Sequence, residues 1–377
     1  MNDLRADVAV VGGGIVGLAC ALSSALRGHS VVLFERHARA RGASVRNFGM
    51  IWPVGQEPGR IHERSLRTRE IWLDLAPRAG LWCESVGSLH LAYHRDELAV
   101  LEEFAQRAPQ LGYNVELLQP AAVRERSEAV VEEGLLGGLW SSMELCVDPR
   151  QAVAQLPAYL ADTHSVQLRF ATPVIAVDGP CVQTPLESWT VGHVFVCTGD
   201  DFETLYPEHY ARSGLERCKL QMMRTHPQPG GWRLGPHLAA GLTLRHYAAF
   251  RICDSLQAVR DRVREEYPDF DRWGIHVMAS QNGVGEVTIG DSHEYGDAIT
   301  PFDHSEVDEL ILAYLRSFVN LPDLHISERW HGVYPRHPER ADYIAHPSDG
   351  VTIINGVGGA GMTTAFGLAE EIVGHVL

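Results

Sequence analysis

No run of about 18 or more apolar residues occurs in the sequence, so no segment is expected to cross a membrane as a helix. No CxxC pair occurs either. The seven cysteines (Cys20, Cys83, Cys146, Cys181, Cys197, Cys218 and Cys253) are an odd, scattered set. Neither a zinc ribbon nor a disulfide framework is indicated; no metal is expected, and buried free thiols in a reducing compartment are the plain reading. Positive charge is also short: 32 basic side chains against 48 acidic ones leave a net charge of −16. Such a chain repels nucleic acid and anionic membrane surfaces. An anionic substrate would need positive charge gathered locally, inside a pocket. There is no internal repeat and no low-complexity tract. With 45% apolar and 21% charged residues over 377 positions, the chain should fold as two domains, or as one large domain with an elaboration. The apolar start VAVVGGGIVGLACAL could pass for the core of a signal peptide. Its glycine spacing offers a better explanation, Asp3 and Asp7 spoil a basic leader, and a cytoplasmic protein is expected.

What the sequence does have is two glycine loops, one near each end. Residues 8–11 form a short β-branched run of the kind buried on both faces of a parallel sheet. Gly12, Gly14 and Gly17 follow in GxGxxG spacing. Residues 15–27 carry apolar side chains at helical intervals, and a second β-branched run, 31–34, ends at Glu35. Each part has a task in holding a dinucleotide. Gly12 makes the turn, Gly14 admits a pyrophosphate, Gly17 lets helix and strand pack closely, and Glu35 accepts hydrogen bonds from a ribose. NAD enzymes usually continue with alternating strands and helices. This chain continues with HARARGASVRNFGMIWPVGQ, polar and irregular. At the far end, an apolar strand over 351–354, the loop NGVGGAG and a helix over 362–373 repeat the strand–glycine–helix pattern. A second helix N-terminus beside the first would offer N–H groups to the far end of one long cofactor. FAD needs this, because its ring gains negative charge when reduced; NAD does not.

Eight stretches together resemble the D-amino-acid oxidase, glycine oxidase and sarcosine oxidase superfamily of FAD-dependent oxidoreductases. They are VVGGGIVG with LFER, GASVRNFGM (42–50), VDPR (147–150), TPVIAVD (172–178), VFVCTG (194–199), GEVTIGD (285–291), WHGVYP (330–335) and GVGGAGMTTAFG (356–367). The resemblance covers nearly the whole chain. It implies an α/β fold: a Rossmann-like FAD-binding domain roofed by a mostly antiparallel substrate-binding sheet of α+β character. The FAD domain would be discontinuous, over 1–85, 146–217 and 328–377, and the substrate domain would take 86–145 and 218–327. Within the latter, 87–93, 218–225, 275–281 and 286–291 read as strands, and 303–319 as an amphipathic helix with Asp303 near its N-cap. Asp148–Pro149 reads as a helix start.

The same resemblance implies site residues. Gly12, Gly14 and Gly17 would face the diphosphate, with Ile15 and Val16 at the helix start, Glu35 at the ribose and Arg36 near the adenosine. Ala43 and Ser44 would meet the diphosphate or ring, and Val174 the adenine. Thr198 and Gly199 would close the returning strand, and Gly359, Gly361, Met362 and Thr363 would line the flavin's pyrimidine side. Gly332 stands where sarcosine oxidase bonds flavin through a cysteine, so FAD should be non-covalent. Tyr334 stands where many amino-acid oxidases place a carboxylate-binding Arg. Thr363 and Thr288 replace the carboxylate-binding and oxygen-activating lysines of sarcosine oxidase. The usual clamp is therefore missing, and Arg46, His293, His331 and Arg336 are the candidate replacements beside Tyr334. Plainer alternatives stand beside these: Arg46, one of four arginines over 36–46, as a substrate or flavin contact or as part of a run that is solvated or serves the FAD phosphates, His331 as a satisfied interior histidine, Arg336 as the partner of an acid such as Glu339.

RNFGM, CKLQMMRT and IGDSHEYG further resemble a subgroup associated with aminophosphonate breakdown. The implied reaction is FAD-dependent oxidation of a small anionic primary or secondary amine to an imine, which hydrolyses to an aldehyde or oxo acid plus amine. The electrons would pass to O2 or another acceptor. The alternatives are a 2-hydroxy-acid or polyol dehydrogenase of the same fold, or a non-catalytic flavin binder.

Overall fold

The computed structural model describes residues 4–377. The first strand, Leu4–Val11, is buried without alternation over its second half, because it lies inside a parallel sheet. Val31–Phe34 and Ser188–Val196 flank it, both parallel. Gln167–Arg169 and Val351–Asn355 extend the sheet on either side, again in parallel. The last strand thus shares a sheet with the first, as expected, but Ser188–Val196 lies between them. The turns after Val11, Val196 and Asn355 therefore open side by side at one edge, where open α/β sheets bind ligands.

The helices Ile15–Leu26 and Gly361–Val376 pack against each other under this sheet, sharing one core with Phe195 and Ile354. Pro149–His164 joins them and starts as its sequence indicates: the Asp148 carboxylate accepts the N–H groups of Arg150 and Gln151 at 2.9 and 3.2 Å. The helix Arg60–Arg78 crosses Gly361–Val376 closely. A Cβ at Gly367 would sit 2.6 Å from the Arg64 carbonyl oxygen.

A second, nine-stranded sheet is mostly antiparallel. Its longest pair is Glu216–Thr225 with the edge strand Ile326–Arg336, and Val287–Gly290 and Glu294–Gly296 pair along the other side of Glu216–Thr225. Met278–Gln281, His237–Ala240, Ser88–Ala92, Gly137–Ser141 and Val115–Leu118 continue it. The helix expected over 303–319 runs Ser305–Phe318, with His304 at its N-cap. Asp303 does not cap it. Its carboxylate faces the Lys219 ammonium at 3.1 Å and His331 Nδ1 at 2.9 Å. Lys219 is the only lysine in the sequence and is 2% exposed, so its charge demands a partner. All seven cysteines are unpaired.

His90, on Ser88–Ala92, is fully buried between the Trp52 and Phe250 rings, with centroids 5.3 and 5.0 Å away. Neither ring nitrogen finds a hydrogen-bond partner among the described residues, and burial pulls its pKa down to about 3. The unfolded chain, with a pKa near 6.5, takes up the proton that the folded chain refuses. Stability therefore falls as pH drops from about 6.5 towards 3. Between pH 7 and pH 5 this residue alone removes about 2 kcal/mol. Thermal melts at both pH values should show His90→Leu more stable than wild type, with the larger gain at pH 5. Equal gains would mean that His90 protonation is not linked to unfolding.

Candidate functional site

A cavity of about 810 Å³ opens at the carboxyl edge of the parallel sheet and runs beneath the second sheet. At one end Gly12 makes a turn that only glycine can make. Its φ is +114°, and a Cβ would lie 2.2 Å from the Cys197 carbonyl oxygen. Gly14, Ile15 and Val16 line the cavity, and the Ile15 N–H donates to Ser44 Oγ at 3.0 Å. Gly17 does not line it. A Cβ there would meet the Gly12 carbonyl oxygen at 1.9 Å, so this glycine lets helix pack on turn and does not face a diphosphate. Glu35 is buried at the wall. One carboxylate oxygen accepts the Gly13 N–H and the other the His37 N–H, both at 2.9 Å. It thus holds the glycine loop in shape and keeps lone pairs for a further donor. Arg36 pairs with Asp201 at the rim. Ala43, Val174, Thr198 and Gly199 complete this end.

At the other end the turn Gly358–Ala360 leads into Gly361–Val376. Gly359, Gly361, Met362 and Thr363 line the cavity there. Thr363 is anchored in the scaffold, its Oγ1 accepting the Trp52 N–H at 2.9 Å. Neither Ile15–Leu26 nor Gly361–Val376 has a side-chain N-cap. Two uncapped helix N-termini backed by glycine thus face one elongated cavity, each presenting positive dipole and N–H groups. That fits a long dinucleotide with phosphates at one end and an electron-rich ring at the other.

Of the five candidate substrate residues, four line this cavity: Arg46, His293, Tyr334 and Arg336. His331 does not. Along the strand Ile326–Arg336 side chains alternate, so Gly332, Tyr334 and Arg336 face the cavity while His331 turns to Asp303 beside a separate small pocket. Arg46 Nη1 donates to the His331 carbonyl oxygen at 3.0 Å, which ties the flavin-side loop to that strand. Arg336 pairs with Glu216 at 3.2 Å, not with Glu339, and stacks 4.3 Å over the Tyr295 ring. Burial pushes the Tyr334 hydroxyl pKa well up, so it stays a proton donor. Thr288 does not line the cavity. It lies on the adjoining strand, within 3.4 Å of Arg224 Nε.

The sequence reading missed His246, Tyr247, His276 and Asp291, which also line the cavity. A polar His276 inside the apolar stretch IHVMA was the one available signal. Burial lowers the pKa of all three histidines, His293 to about 4, and raises that of Asp291. For His246 the neighbouring His293 and Arg336 add to the effect. By itself burial therefore favours the neutral form of His293 at pH 7.

Comparison with known proteins agrees with this geometry. The chain is 24% identical to the tRNA 5-methylaminomethyl-2-thiouridine biosynthesis bifunctional protein of Maricaulis maris, over 100% of this chain and 53% of that protein. It thus spans about half the length of that curated relative. It is also 24% identical to gamma-glutamylputrescine oxidoreductase of Escherichia coli, over 100% of this chain and 84% of that one. The fold matches that of glycine oxidase from Geobacillus kaustophilus with a TM-score of 0.79 at 18% identity, covering 99% of this chain and 94% of the other. The family described as FAD dependent oxidoreductase matches residues 7–374. The chain belongs to this family of FAD-dependent oxidoreductases, and FAD is the cofactor its two glycine loops fit.

Proposed function

We propose that the protein oxidises a small anionic amine to an imine, with water then releasing an aldehyde or oxo acid and the amine. The observation that carries this reading is the inner half of the cavity, where Tyr334 and Arg336 pack at the Gly358–Gly359 turn and Arg46 lines the same cavity beside Gly332. When bound, FAD supplies the two-electron oxidation of the amine's α C–H. The chain's own residues bind and orient. Arg46 pairs with the substrate's anion, the Tyr334 hydroxyl donates a hydrogen bond, and the buried roof excludes water. Gly332 carries no side chain that could bond a flavin, which supports non-covalent FAD. Gly12, Gly14, Glu35 and Ser44 would serve the diphosphate and ribose, and Gly359, Gly361, Met362 and Thr363 the ring. We read the chain as a discontinuous FAD-binding unit (1–85, 146–217, 328–377) and a substrate unit (86–145, 218–327). By its pairing the strand Ile326–Arg336 goes with the latter.

For the anion we propose a phosphonate, as in 2-aminoethylphosphonate or its N-methyl form. The short motifs RNFGM, CKLQMMRT and IGDSHEYG support it, as does the absence of a lysine at Thr363 and of an arginine at Tyr334. A dianion held by Arg46 gains charge-assisted bonds, often in pairs. Wild type should turn over N-methyl-2-aminoethylphosphonate with a higher kcat/KM than sarcosine. Arg46→Ala should lower the phosphonate value about ten- to a hundredfold, and that of a neutral amine of similar size far less. Sarcosine as the better substrate would sink the phosphonate reading. Equal losses for both substrates would assign Arg46 to the flavin. Oxidation that releases no amine product would point to a hydroxy acid instead.

A further inference from the structure

We propose that His246, His276 and His293 form a binding site for a divalent transition-metal ion of the zinc type in the roof of the cavity, with Asp291 beside it. Nothing local in the sequence announces it. The imidazoles arrive from three separate places: just past the short helix Gly241–Leu244, just before the strand Met278–Gln281, and just past Val287–Gly290. One nitrogen from each lies within 4.8 Å of the others, and the ring centroids are 3.9, 4.5 and 5.1 Å apart. Nitrogens on one tetrahedral zinc, each about 2.0–2.1 Å from the metal, are separated by roughly 3.4 Å. The rings lie 16–38° from parallel, so metal binding would turn them until their in-plane lone pairs converge.

Two further observations point to a ligand. First, His293 Nδ1 donates to the Gly274 carbonyl oxygen at 3.0 Å. That bond selects the tautomer and leaves Nε2 with a free lone pair, the arrangement of a metal-ligating imidazole. Second, His276 and Asp291 are 3% and 6% exposed, yet neither ring nitrogen of His276 nor Oδ1 of Asp291 has a hydrogen-bond partner among the described residues. His276 Nε2 and Asp291 Oδ1 stand 3.2 Å apart, out of hydrogen-bonding alignment. Buried polar groups left without partners are costly, and a cation on the imidazoles would give a His276 nitrogen a partner and the Asp291 carboxylate a counter-charge. A donor set of three imidazoles suits zinc better than calcium or magnesium, which prefer all-oxygen shells.

The surrounding charge limits what else can bind. Arg245, Arg251 and Arg336 lie near; Arg245 pairs with Asp271 at 2.7 Å and Arg336 with Glu216 at 3.2 Å. The three imidazoles line the cavity, so a tetrahedral metal held by them would keep its fourth coordination position open towards it. On the reading of the substrate given above, that position takes an oxygen of the anionic head while Arg46 holds the same substrate from the opposite loop. The metal site itself does not depend on that reading.

The test uses the FAD-loaded protein, stripped with a chelator, desalted and titrated with zinc against a chromophoric chelator. Wild type should bind one zinc per chain. Cobalt should substitute and give an absorption band to the red of the oxidised flavin. His276→Leu and His293→Gln should each weaken zinc binding about ten- to a hundredfold or more while flavin absorbance, reporting the fold, stays at the wild-type level. Wild type that binds no stoichiometric zinc overturns the site, whether or not the variants fold. Zinc that both variants retain overturns it too, because the metal would then sit on other histidines. Flavin bleaching by amines, measured with and without zinc, separates this inference from the proposed function. Turnover without any zinc binding removes the site alone, and zinc binding without turnover removes the amine reading alone.

Discussion

Gly12→Ala is expected to give a colourless protein that cannot take up FAD. The turn is clamped on both sides: the Gly12 N–H donates to the Phe34 carbonyl oxygen and the Cys197 N–H to that of Val11, both at 2.8 Å. A methyl group at Gly12 would be placed 2.2 Å from the Cys197 carbonyl oxygen, at a backbone φ of +114° that other residues rarely adopt. Neither strand can retreat without breaking the parallel sheet, so the loop must open, and the uncapped helix N-terminus moves with it. Gly28→Ala is the control. Its φ is +88°, but no atom lies within 4 Å of the added methyl. It bears only the backbone strain, about 1–2 kcal/mol, and should stay yellow. Flavin absorbance and melting temperature read both variants, and a yellow, fully loaded Gly12→Ala would show that the turn does not shape the cofactor site.

Arg64→Ala should cause a large loss of folding stability, on the order of 3–5 kcal/mol, as expected when one partner of a buried ion-pair cluster is removed. The Arg64 side chain is 1% exposed. Its Nε and Nη2 donate to the Glu371 carboxylate, both at 2.9 Å, and Nη1 donates to Asp342. One guanidinium thereby joins the helix Arg60–Arg78 to the end of Gly361–Val376 and to the segment before Tyr343–Ser348. Truncation strands two carboxylates beside an apolar helix crossing. Because those carboxylates are 35% and 20% exposed, the loss should fall near the lower end of that range. Arg64→Lys keeps the charge but not the fork, and should recover only part. Denaturant midpoints at saturating FAD separate folding from cofactor release. A loss below about 1 kcal/mol would place this triad with ordinary surface pairs.

Both variants bear on what could be read in advance. The two strand–glycine–helix units were legible because their signals are local. Burial on both faces makes 8–11 and 31–34 continuously apolar, helical periodicity marks the segments after each loop, and GxGxxG spacing follows from one tight turn. Asp148–Pro149 announced its helix for the same reason, since the cap bonds only to residues two and three positions on. FAD followed from having two such loops, and the structure brings both to one sheet edge. The strands of the second sheet were also visible as segments.

What they pair with was not. Ser188–Val196 between the first and last strands is a matter of sheet order, which no local periodicity encodes. The face taken by His331 depended on strand register, where a shift of one residue exchanges core for surface. Asp303 stands next to the helix cap as expected, but its carboxylate turns to Lys219, 84 positions earlier in the chain, which is buried beside it and needs a counter-charge. The cluster of His246, His276, Asp291 and His293 exists only because two strand ends of the antiparallel sheet and the turn after the helix Gly241–Leu244 meet over the cavity. The sequence determined local backbone geometry and the cofactor. Tertiary structure alone decided which distant polar side chains share a water-poor space, because that depends on long-range pairing and on burial.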